Sequence, residues 1–264
     1  MSLRRPVAIA AAAFLAAAAT PAVAVAASGG ASPGGASPDA NPDGTPTGAA
    51  LAIGTPVATA SSGGITISSK GAALLKRRAV VSGLAPARLG TVSIEALDAR
   101  SGLWTAVGRG VVKADGSFRA AWRPRALGSQ TVRAVPGAGT AASRATESGP
   151  QVQVTVYRPG VASWYSPKSN GGSKTACGVR LTRWTIGVAH KTLPCGTQVE
   201  LYYGGMKLVA PVIDRGPFIA GRAWDLTKAT HEALGATDGL ITVGALTVTT
   251  VPRLKTPFQA PPTR

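Results

Sequence analysis

The chain is poor in acids, cysteine, histidine and aromatic residues. Across 264 residues it holds 11 Asp and Glu against 28 Lys and Arg, with two Cys, two His and 5% aromatics. Cys177, Cys195, His190 and His231 form no C-x-x-C or H-x-x-x-H spacing. No zinc site is therefore expected, and no other metal or cofactor is assigned. Beyond the N-terminal segment no run is apolar enough to span a bilayer, so no permanent membrane span is expected. That segment ends without a cysteine that could take a lipid. The sequence also offers no helix suited to reading a DNA groove, so the net charge of +17 is not assigned to nucleic acid.

The N-terminal segment has the features of an export signal. Arg4 and Arg5 precede an apolar run from Val7 to Ala19, and small residues follow in an A-x-A pattern near Ala24 and Ala27. The expectation is a signal over 1–27 and a secreted, extracellular or wall-associated monomer. In an oxidising compartment Cys177 and Cys195 are expected to pair as a disulfide. Residues 28–62 are dominated by Gly, Pro, Ser, Ala and Thr and are expected to form a flexible spacer. Residues 62–157 carry thirteen basic and four acidic side chains, and residues 158–253 carry eleven and five. Outside a cell such a surface suits polyanions, including anionic wall polymers and peptidoglycan carboxylates.

Two β regions follow. Over 63–157, Val92, Ile94 and Ala96, then Phe118, Ala120 and Trp122, then Val152, Val154 and Val156 recur with period two. Turn signals at 98–102 and 113–117 separate them, predicting an Ig-like β-sandwich. Over 158–253, apolar runs at 160–166, 184–190, 197–205, 207–216 and 240–251 predict a small barrel. A single helix is predicted from Thr227 to Leu234, with Thr227 as N-cap and Gly235 at its end. Residues 254–264 form a tail expected to be disordered.

The motifs "GVASWY", "TACG", "AHKTLPCGTQV" and "DRGPFIAGRAWDLT", in that order, resemble the rare lipoprotein A (RlpA) family of septal lytic transglycosylases. The last frame is also similar to the membrane-bound lytic transglycosylase A family and to expansins. For residues 158–253 the resemblance implies a six-stranded double-psi β-barrel with one or two short helices, so that with the Ig-like sandwich before it the chain is expected to be all-β. It also implies action on peptidoglycan or another wall polysaccharide. Carried over residue by residue, it places Asp225 in the glycan groove with Asp214 as its partner. Because one carboxyl can serve both proton transfers of a lytic transglycosylase, Asp225 is expected to be the acid/base, with Asp214 and His190 holding substrate and polarising it. Tyr165, Trp184, Thr175 and Arg215 are the expected substrate contacts. His231, beside Glu232, is expected on a solvated helix face.

Two positions depart from the family pattern: Val179 stands where a glutamate is usual, and Ile213 where an asparagine is usual. The alternative reading is an expansin-like module that binds and loosens glycan without cutting it. A purely structural adhesin is the third.

Overall fold

The computed structural model describes residues 52–138, 148–169 and 174–248. The expected export signal, the spacer up to residue 51 and the tail 254–264 lie outside the described residues. The spacer, expected to run to 62, ends sooner, because strands β1 (Ile53–Gly54) and β2 (Val57–Ser62) occupy its last residues. Gly63 and Gly64 adopt φ of 59° and 76°, and Ser62 pairs with Ile65 across them. The glycine pair that resembles linker composition is thus a two-residue hairpin turn, which needs positive φ at both positions.

The next strands are β3 (Ile65–Lys70), β4 (Ala72–Leu74), β5 (Ala79–Leu84), β6 (Thr91–Leu97), β7 (Trp104–Val111), β8 (Ser117–Trp122), β9 (Gly128–Pro136) and β10 (Gln151–Tyr165). One sheet has the order β2-β3-β5-β8, and the facing layer the order β10-β9-β6-β7 with β4 on the flank of β10. Ile67, Val81, Phe118 and Trp122 of the first layer share a core with Val92, Ile94, Val132 and Val154 of the second. The period-two residues of β8 and β10 are buried in alternation. β6 departs from this, with Ser93 and Glu95 buried as well. Glu95 accepts a charged hydrogen bond from Arg133 at 2.7 Å, and the Arg133 guanidinium lies 4.2 Å from the Trp104 ring centroid. A buried carboxylate is tolerated there because it is paired.

The expected boundary between the two β regions falls inside a single strand. β10 pairs with β9 over Gln151–Val156 and with β15 (Ile241–Thr247) over Arg158–Ala162. Around Tyr157 the two cores interlock. Leu75 N–H donates to the Tyr157 carbonyl at 2.8 Å, and the Tyr157 hydroxyl donates to Glu200 at 2.6 Å. Gly244 faces the Tyr157 ring so closely that a Cβ there would lie 2.6 Å from Tyr157 Cβ.

The remaining elements are β11 (Val188–Ala189), β12 (Gln198–Tyr203), β13 (Met206–Asp214), β14 (Trp224–Thr227) and helix α1 (Lys228–Ala233). The order β14-β11-β13-β12-β15-β10, with β10 pairing back to β14, closes a six-stranded barrel. Val188, Val199, Leu201, Val212, Leu226 and Val243 fill it. Of the apolar run 184–190 only Val188–Ala189 are strand, and the sixth strand is β14, which directly precedes the helix. Thr227 caps α1 by accepting the Thr230 N–H at 3.2 Å, and Gly235 follows with φ of 71°. Thr230 Oγ1 also accepts the Gly187 N–H at 2.9 Å and donates to the Gly187 carbonyl at 3.0 Å. Through it the helix pins the entry to β11.

His231 is not on a solvated face. It is 5% exposed, because the chain after α1 turns back and brings the Asp238 carbonyl to 2.7 Å from its Nε2.

Candidate active site

The two aspartates of the frame are brought level by pairing register. Ala189 pairs with Asp214 on one side and with Asp225 on the other, and Asp225 pairs in turn with Ser163. Asp214, Ala189, Asp225 and Ser163 thus form one row across four strands, with the aspartates two strand spacings apart, about 10 Å between Cα positions. The alignment depends on an irregularity in β13: Val188 pairs with Val212, but the next residue, Ala189, pairs with Asp214. Ile213 is the extra residue, and a bulge of this kind re-aims the side chain that follows it. Gly187 makes room, since a Cβ there would lie 2.4 Å from Ile213 Cδ1.

The carboxylates differ in surroundings. Asp214 is 8% exposed, and its Oδ1 accepts backbone N–H groups from Ala176 and Arg215, each at 2.8 Å. Asp225 is half-buried, and its Oδ1 is shielded from solvent without a hydrogen-bond partner. Burial pushes the Asp225 carboxyl above the ordinary carboxylate value. The Ser163 hydroxyl and Arg222 guanidinium oppose the shift, and the Asp214 charge reinforces it. Arg222 also donates to Ser163 Oγ at 3.1 Å. Neither Ser163 nor Arg222 is visible as a site residue in the sequence, since the two are 59 positions apart.

Tyr165 does not stand as a sugar platform. It is 6% exposed and packs with Leu181, Ala189 and Ile213. Strand alternation turns its neighbour Trp164 to the other face, where that indole is 39% exposed and lies against the His231 ring. The Tyr165 hydroxyl is buried and makes no hydrogen bond of good geometry. Burial first, then the charges of Asp214 and Asp225, push its phenol above the ordinary value and hold its proton on.

His190 reaches Asp214 through the main chain, its N–H donating to the Asp214 carbonyl at 3.2 Å. Its Nδ1 accepts the N–H groups of Thr192 and Leu193, at 3.2 and 3.0 Å, which leaves Nε2 to carry the proton of the neutral ring. Burial, with Arg215 and Lys191 adding to it, lowers the His190 value. The ring lies 4.5 Å, centroid to centroid, from that of Trp224.

Arg215 donates to the Leu193 carbonyl at 2.9 Å and to Cys195 Sγ at 3.2 Å, tying down the loop after β11. Thr175 is buried, and its Oγ1 accepts the Val179 N–H at 3.1 Å. Both are occupied in holding loops. Cys177 and Cys195 are joined, with Cα atoms 5.8 Å apart, which links the Thr175 turn to the loop that Arg215 holds. Trp184 is 66% exposed, with the Arg183 guanidinium 4.5 Å from its ring centroid. Phe218, 82% exposed in the loop after Asp214, is a further open aromatic face that the motif contains.

The lytic transglycolase family matches residues 158–249, the segment that closes the barrel. The second β region is an RlpA-like double-psi barrel. Over 88 residues it is 42% identical to the probable endolytic peptidoglycan transglycosylase RlpA of Aquifex aeolicus, covering 32% of this chain and 38% of that protein. Over 78 residues it is 41% identical to the Synechocystis protein of the same description, covering 29% and 24%. The chain thus spans well under half the length of these relatives. Among solved structures, a Streptomyces papain inhibitor is 24% identical over 33% of this chain and 91% of its own, with a TM-score of 0.26. Within the RlpA-like barrel, Val179 and Ile213, the two departures from the family pattern, come together. Val179 packs against the cluster of Tyr165, Leu181, Ala189 and Ile213.

Proposed function

We propose that the RlpA-like barrel cleaves peptidoglycan glycan strands by lytic transglycosylation, with Asp225 as the single acid/base. The observation that carries this reading is the row of Asp214, Ala189, Asp225 and Ser163, in which one carboxyl is half-buried, raised by burial and left with an unpartnered oxygen. A carboxyl raised in this way keeps its proton to higher pH than an exposed aspartate does, which suits a general acid.

Asp225 protonates the glycosidic oxygen between muramic acid and glucosamine, and the C1–O bond breaks with charge developing on the muramic ring. The Asp225 carboxylate then takes the proton of the muramic C6 hydroxyl as that oxygen bonds to C1, which closes the 1,6-anhydro ring and restores the acid. No water is consumed. Asp214, whose charge raises Asp225, lies on the far side of Ala189 and would face the developing positive charge. The Tyr165 phenol keeps its proton and holds it beside both carboxylates. Neutral His190 serves as a wall of the site and, through Nε2, as a donor. The open faces of Trp184 and Phe218 supply apolar surface for pyranose rings.

The expansin-like reading has one observation in its favour: the apolar packing of Val179 and Ile213 removes two polar groups that the family pattern supplies. Muropeptide analysis separates the two. The purified protein should release 1,6-anhydro products from isolated peptidoglycan, and Asp225→Asn should reduce that release by at least about 100-fold without reducing sedimentation with the wall. Binding without anhydro products from the unmodified protein would establish the expansin-like reading instead.

A further inference from the structure

A cleft of about 940 Å³ opens on the sandwich, and no barrel residue lines it. Arg78, Arg100, Arg123 and Arg125 border it, with Asp98 as the acid among its lining residues. The four arginines are exposed, and their guanidinium groups make no ion pair among the described residues. Asp98 is occupied, since its Oδ1 accepts the N–H groups of Arg100 and Ser101 at 2.9 Å each. Trp122 is 2% exposed and belongs to the core beneath the cleft. The cleft is thus bordered by four cationic forks, of which Arg123 also donates to the Lys76 carbonyl at 3.3 Å, around a single carboxylate with one oxygen already engaged.

We infer that this cleft is a binding site for a phosphodiester polymer. Guanidinium forks match tetrahedral phosphate oxygens in bidentate fashion. A slot admits one flexible chain of diesters, whereas a nucleic-acid duplex presents a convex cylinder that calls for a broad positive face. The choice of a wall polymer over other polyphosphodiesters rests on the reading of the barrel as a wall-glycan enzyme. The site itself does not rest on it.

The test uses the full chain and soluble poly(glycerol phosphate), with polygalacturonate as the carboxylate polymer of comparable charge and a DNA duplex as the third probe, all over a salt series. Poly(glycerol phosphate) should bind at least 10-fold more tightly than the other two. Replacing Arg78, Arg123 and Arg125 with Gln should lower its affinity at least 10-fold and reduce the salt slope by about three, near one for each phosphate that is no longer neutralised. A control triple, Lys70, Lys113 and Arg119 to Gln, should leave affinity within about twofold of the original. Equal losses in the two triples, equal binding of the carboxylate polymer, or tighter binding of duplex would each overturn the proposal. Asp225→Asn should bind poly(glycerol phosphate) unchanged, so loss of cleavage and loss of this site are read separately.

Discussion

At the scale of the residue, Ala189 sets the space between the two carboxylates. A larger side chain at that register position would intrude into the row from its middle. Ala189→Leu is expected to cost roughly 1–3 kcal/mol of stability as overpacking and to lower anhydro-product release about 100-fold by displacing the carboxylates, both read on one preparation by urea titration and muropeptide assay. Asp225 has a stability signature as well. Its folded value is raised, so its favourable contribution is complete below the ordinary carboxylate value and is lost as pH rises through the folded one. Asp225→Asn should therefore melt higher than the unmodified protein at pH 7, with the gap closing as pH falls through the folded value towards 3.8; a lower melting temperature at pH 7 would contradict the burial argument. The two carboxylates could be picked out in the sequence because the frame around them is distinctive and acids are rare. Their surroundings could not: Ser163 and Arg222 meet only through strand pairing, and which of Trp164 and Tyr165 faces inward depends on the register of β10.

At the scale of the element, the site is held by short segments that have little regular structure of their own. β11 is two residues long and is fixed by neighbours on both sides, by Thr230 from the helix and by Arg215 and the disulfide in the loop after it. The helix and its cap were legible because Thr227 and Gly235 are local signals. The bulge at Ile213 was not, since a bulge is defined by the partner strand. Replacing both Cys177 and Cys195 with Ser opens a loop closed at a separation of 18 residues and should lower unfolding free energy by roughly 3 kcal/mol in the chain-entropy model. Because the Ala176 N–H that holds Asp214 lies next to Cys177, activity should fall further than the population of folded protein does. Parallel loss of the two would restrict the disulfide to stability.

At the scale of the whole molecule, β10 belongs to both cores, and the Tyr157 contacts seal the junction. The described residues are expected to unfold in one cooperative calorimetric transition, with calorimetric and van't Hoff enthalpies in agreement; two separated transitions would show that the shared strand does not couple the cores. The boundary expected near 157 was a change of pattern, and the sequence around Pro159 does contain one. That a single strand runs through it follows from pairing on both sides, which no local signal reports. The same strand fixes a length. Gly128, beside the arginine cleft, pairs with Val156, and Ser163 of the carboxylate row lies seven residues further along, roughly 23 Å at strand rise. With the cleft moored to a polymer, the barrel becomes a blade on a short rigid arm. It would reach only glycan within that arc, and its turnover would then depend on how fast fresh strands are fed into the arc, not on how fast the protein can wander through the wall.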